Sequence, residues 1–140
     1  MLFERGVIHN RERAKQLRDY SGLLFGNITP TDIDGIIEYH GKGYIIIEVK
    51  WRGMPLSYGQ RLALERLTDD LERGHKPTIC LVAEHIINSP EEDIPVAGTL
   101  VTEYRYKGKW HDAVELKHTT ADFAKWFIDN KLSGKTFSLP

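Results

Sequence analysis

The sequence predicts an α/β domain, a mixed central β-sheet flanked by helices. Three observations lead there. "YIIIEVKW" at 44–51 and "KPTICLVAEHII" at 76–87 are short, dense apolar runs, the mark of strands buried on both faces. Between them lies a stretch with helical spacing, as a strand–helix–strand unit requires. Two further alternating segments near the C-terminus predict a second hairpin.

Taken in order, "IHNRERAKQLRDY" at 8–20 predicts a helix, with Ala14 and Leu17 on one side and charges around the rest. Gly22 and Gly26 bracket the short run "LLF", and Pro30-Thr31 breaks the chain. "DIDGIIEY" from Asp32 reads as a strand. "HGKG" at 40–43 reads as a turn whose paired glycines supply positive φ, so residues 32–51 form a hairpin. Ser57 and Gln60 have capping-box spacing, and Ala63, Leu67 and Leu71, with Leu64 beside them, form an apolar stripe that Gly74 ends. After the strand at 76–87, residues 88–98 are a polar loop with two prolines. "TLVTEYRY", "KGK" and "WHDAVEL" make the second hairpin. Thr119 or Thr120 caps a last helix, "ADFAKWFIDNK", with Phe123, Ala124, Phe127 and Ile128 inward. The expected order is α-β-β-β-α-β-β-β-α.

The chain has 140 residues, the size of one domain spanning 1–140. Its net charge is −1, which by itself argues against a nucleic-acid binder. A mild basic excess nevertheless lies in residues 1–61, so an anion-attracting field would be local. No apolar run is long enough to span a bilayer, and the N-terminus lacks the apolar core of a signal peptide. The single cysteine, Cys80, lies in an apolar run and reads as a core residue. Together these predict a cytoplasmic protein without a membrane partner. The six histidines show no zinc-ligand spacing.

The strand at 44–51 carries two charges at its end. Side chains alternate along a strand, so Ile46, Glu48 and Lys50 share one face and Ile45, Ile47 and Val49 the other. Asp32 and Asp34 also share a face, and closing the hairpin at 40–43 brings them beside Glu48 and Lys50. A salt bridge at a sheet edge would explain one such pair. Two acids to one base at the end of an apolar strand leave a negative surplus suited to a hard divalent cation. A neighbouring lysine suits a phosphate or an attacking water.

Asp34, then Glu48-Val49-Lys50, then the helix from Ser57, resembles the motif of the PD-(D/E)XK nuclease superfamily, over about residues 5–85. The usual Pro-Asp is replaced by "PTDID", which leaves Asp32 and Asp34 as rivals. The following "DGII" favours Asp34. The resemblance implies a restriction-endonuclease-like core and a Mg²⁺-dependent endodeoxyribonuclease, with Mn²⁺ as substitute. Asp34, Glu48 and the Val49 carbonyl would bind metal, and Lys50 would act on water or on transition-state charge.

"RGVIHNRERAKQL", with Arg5-Gly6 and Glu12, is similar to the first helix of archaeal-type Holliday junction resolvases, although Asn10 falls where strict spacing puts their glutamate. Glu12 is then either a site acid or an ordinary surface charge. Leu56, Ser57 and Gln60 echo instead the "E-x-K…LS…Q" pattern of VRR-NUC nucleases, and Gln60 is either a site residue or only a helix cap. Arg5, Arg11, Arg13, Lys15, Arg18, Arg52 and Arg61 are candidates for DNA phosphates. Expected partners are branched or structured DNA and a second copy of the chain, with Tyr104, Tyr106, Trp110, Trp126 and Phe127 available for a homodimer interface or for the core.

Overall fold

The computed structural model describes residue 16 and residues 19–133. The chain divides into two compact units, Met1–Thr31 and Asp32–Pro140. The helix expected at 8–20 lies almost wholly outside the described residues, and Asp19 and Tyr20 at its expected end are not helical. In the first unit the described chain makes tight turns. The Asp19 carboxylate accepts from the Ser21 amide at 3.0 Å, and Phe25 and Ile28 form an isolated antiparallel bridge.

The second unit is one five-stranded sheet in the order β1-β2-β3-β4-β5. The strands are β1 (Gly35–Tyr39), β2 (Gly43–Trp51), β3 (Thr78–His85), β4 (Leu100–Tyr106) and β5 (Lys109–Asp112). Only β2 and β3 run parallel; their crossover is α1 (Tyr58–Arg73). The last helix, α2 (Thr120–Phe127), continues as a π-helical turn, Ile128–Leu132. The sheet is therefore mixed and flanked by helices, with one strand fewer among the described residues than the expected order. "WHDAVEL" leaves the sheet at Asp112, because the Asp112 carboxylate accepts from the Val114 amide at 2.9 Å and turns the chain into a 3-10 helix.

Strand alternation sorts the core into two layers. Ile45 and Ile47 of β2, with Ile79 and Leu81 of β3, pack against Phe123, Phe127 and Leu132. Ile46, Cys80 and Val82 face the other way and pack against Leu56 and Leu64, with Leu67 and Leu71 at the margin. Ala63 is exposed, so the inward stripe of α1 centres on Leu64 and Thr68. Phe127 is fully buried and contributes on the order of 2–3 kcal/mol there. It is a core residue and offers nothing to an interface, whereas Trp126 is 45% exposed.

The first hairpin closes differently from the expected paired-glycine turn. The two positive φ angles fall on His40 and Gly41. Gly43 is needed for another reason: a Cβ there would lie 2.3 Å from the Pro77 carbonyl oxygen and 2.4 Å from Leu132. Both helix starts carry full capping boxes, Ser57 with Gln60 and Thr119 with Asp122.

Candidate active site

The site lies at the carboxyl end of β2, on the face that meets α1. Glu48 and Lys50 project from this face, as alternation requires, and α1 starts beside them because Ser57 caps it. Glu48 is only 4% exposed. Its Oε2 accepts from Gln60 Nε2 at 3.0 Å and lies 3.9 Å from Lys50 Nζ. Lys50 Nζ donates to Gln60 Oε1 at 2.9 Å. The Gln60 amide thus holds the acid and the base at once, with its orientation fixed by one bond of each kind. Its backbone N–H also donates to Ser57 Oγ at 3.1 Å and its Oε1 accepts from the Ser57 amide at 3.4 Å, so one residue both serves the site and closes the capping box.

Asp34 enters by a route that strand alternation does not describe. The ladder of β1 begins at Gly35, opposite Ile47, and Asp32 and Asp34 precede it. Beyond that point the outer edge of β2 has lost its backbone partner. The Asp34 carboxylate fills the gap: its Oδ2 accepts from the Val49 amide at 2.7 Å. A residue's N–H and C=O point to the same edge of a strand. The amides of Tyr44 and Arg52 donate toward the β3 side, to Pro77 and His85. Val49, of opposite parity, therefore turns its carbonyl toward Asp34.

The electrostatics are unfavourable for two neighbouring carboxylates. Burial pushes Glu48 up to about 7, with Asp34 and then Asp32 adding to the rise, against the pull of Lys50 and the Asp34 amide. Asp34 is also raised, first by desolvation, against the Val49 amide, with Asp32 adding and Lys50 opposing. Among the described residues, Glu48 Oε1 is buried without a hydrogen-bond partner. Such an oxygen is costly unless something satisfies it.

No group of three or more His, Cys, Asp and Glu among the described residues is arranged to hold a metal. Mg²⁺, however, takes one or two carboxylates and completes its shell with water and phosphate oxygens. Two acids, one orphaned oxygen and a carbonyl turned the same way fit that demand, and every donor is oxygen.

Of the other sequence candidates, Arg52 is exposed just past Lys50. Arg61 turns away: it forms a bidentate pair with Glu103, at 2.8 and 3.1 Å, and lies 4.6 Å over the Trp110 ring. Trp110 in turn donates to Glu65 at 2.9 Å and packs on the α1 layer. Arg5, Arg11, Glu12, Arg13, Lys15 and Arg18 lie outside the described residues. Glu84 escaped the sequence reading. The parallel register pairs it with Lys50 on the same sheet face, and its Oε2 accepts from the Gly53 amide at 3.4 Å. Its position at the charged end of the apolar run "TICLVAEH" parallels that of Glu48 in "YIIIEVKW", which is the signal that would have found it. No helix among the described residues is long and apolar enough to cross a membrane. No family model, curated protein or solved structure matches this chain, so the chemistry of the site is read from its own residues.

Proposed function

We propose that the chain is a Mg²⁺-dependent endodeoxyribonuclease of the PD-(D/E)XK type, acting on branched or structured DNA. The observation that carries this reading is the cluster of Asp34, Glu48, Lys50 and Gln60 at one strand end, with a buried carboxylate oxygen unsatisfied. Mg²⁺ or Mn²⁺, when bound, supplies a Lewis acid for the scissile phosphate and lowers the pKa of water. Asp34 and Glu48 would hold it, with the Val49 carbonyl on the same side. Lys50 orients the attacking water or offsets charge on the phosphate. Gln60 keeps the ammonium in place by its bond to Nζ.

The described residues carry one such cluster and no separate recognition module, which favours recognition of DNA shape through the backbone. A four-way junction is nearly two-fold symmetric and needs two nicks, so a resolvase would act as a homodimer. A second reading has its own support: Gln60 touches both Glu48 and Lys50, as the VRR-NUC-like "E-x-K…LS…Q" pattern leads one to expect, and a chain of that type would be a flap or general structure-selective nuclease.

The test offers a junction, a flap, a splayed fork and linear duplex side by side with Mn²⁺, and maps the nicks. Cleavage should fall about 100-fold or more in Lys50→Ala and in Asp34→Ala. Full activity in either variant, or in excess EDTA, refutes the assignment. Binding without cutting would make the chain a DNA-binding module instead. Paired symmetric nicks from a dimer favour the resolvase, and single nicks at a flap base favour the second reading.

A further inference from the structure

The carboxyl ends of the parallel pair open into a concavity near the carboxylate–lysine cluster. Its volume is about 390 Å³, and its lining includes Arg52, Glu84, His85, Ile87, Ile94 and Leu100. Ligands of open α/β sheets gather outside the carboxyl ends of the strands. The register fixes its relation to the site. Lys50 pairs with Glu84 and Trp51 with His85, and the Arg52 amide donates to the His85 carbonyl at 2.9 Å. At about 3.3 Å per residue, Arg52, one residue past the end of β2, stands roughly 7 Å from Lys50.

The walls and the polar groups are of different kinds. Ile87, Ile94 and Leu100 supply apolar surface. Arg52 is an exposed cation without an ion-pair partner among the described residues. His85 Nδ1 accepts from the Ile87 amide at 3.0 Å, so the neutral ring carries its proton on Nε2 as a donor. An edge contact with Trp51, at 5.5 Å between centroids, holds that ring. Among the described residues, Glu84 accepts a hydrogen bond through Oε2 alone, from the Gly53 amide.

We propose that this concavity is a subsite for one unpaired nucleotide next to the phosphate held at Lys50. The proposal rests on the nuclease reading and names its substrate class. The base lies against Ile87, Ile94 and Leu100, and Arg52 takes its phosphate. Charge complementarity and continuity with the phosphodiester site select a nucleotide over other occupants of an apolar groove. A paired base is held in its stack and does not enter, so the preferred DNA is a flap, a fork or the branch of a junction rather than continuous duplex. The remaining Glu84 oxygen accepts from an exocyclic amino group. Cytosine, adenine and guanine each carry one, and thymine does not.

The test uses the full chain with Mn²⁺ and a flap substrate in which a single abasic site is walked along the strand that is cut. In the wild type, one position beside the cut should be sensitive, with cleavage falling about fivefold or more when its base is removed. Thymine at that position should be cut more slowly than cytosine. Leu100→Trp, which fills the concavity from a wall residue that is 45% exposed, should cut the intact flap as poorly as the wild type cuts the sensitive abasic one. It should show no further loss on that abasic substrate. Arg52→Ala should weaken cutting of the flap more than that of duplex. Cleavage without any base-sensitive position overturns the subsite and leaves the nuclease reading standing. Absence of cleavage on every DNA offered overturns both.

Discussion

Replacing Glu48 by Gln removes one buried charge while keeping the shape of the side chain. The substituted side chain still accepts from Gln60 through its carbonyl oxygen, and its amide nitrogen takes the place of the orphaned oxygen. The native carboxyl is raised from 4.5 to about 7. The folded state therefore holds the Glu48 proton more tightly than the unfolded state. Stability is fully present below about pH 4.5 and is lost as the pH rises through about 7. At 1.36 kcal/mol per unit the full loss is roughly 3 kcal/mol above pH 7, about 2 of which develops between pH 5 and pH 8. Glu48→Gln escapes it. Urea unfolding in EDTA at the two pH values measures this directly: the variant should exceed the wild type by up to roughly 3 kcal/mol at pH 8 and by about 1 kcal/mol at pH 5. Saturating Mg²⁺ at pH 8 should return about 2.7 kcal/mol to the wild type at one hundred times its Kd, and much less to the variant. An unchanged gap between the two pH values, or a variant less stable than the wild type at pH 8, would refute the reasoning that burial beside Asp34 sets the state of Glu48.

Ser57→Ala and Gln60→Ala both damage the cap of α1, each costing about 1 kcal/mol of stability in thermal unfolding. Only Gln60→Ala also strips Glu48 and Lys50 of their shared partner, so it alone should reduce cleavage at least about tenfold. With Mn²⁺, Asp34→Ala should be inactive and Asp32→Ala should keep most of its activity, because Asp34 alone is fixed to β2, through the Val49 amide; the reverse pattern would move the principal acid to Asp32. Gly43→Ala should destabilise the fold by about 1–3 kcal/mol in urea titration, since its Cβ meets the Pro77 backbone.

The sequence by itself determined the elements whose signal is local. The apolar runs of β2 and β3, the capping boxes of Ser57–Gln60 and Thr119–Asp122, and the shared face of Ile46, Glu48 and Lys50 are all legible, because side-chain period and cap chemistry act over a few residues. The turn at 40–43 was legible in place but not in kind. His40 takes one of the two positive φ angles, and Gly43 is small because Pro77 and Leu132 press against it, a fact about distant neighbours. Asp34 could be named from its order along the chain. Only the tertiary structure showed that it leaves the strand and hydrogen-bonds Val49 where β1 ends, since a missing ladder partner has no local signature. Arg61 has the same lesson in reverse. It looked like a phosphate contact, but Glu103 lies 42 residues away and takes its guanidinium once β4 is in the sheet. Gln60 as a cap is a local fact, and Gln60 as the bridge between Glu48 and Lys50 is a tertiary one. The difference is physical: a cap needs neighbours along the chain, whereas a site needs the parallel crossover that sets α1 beside the end of β2.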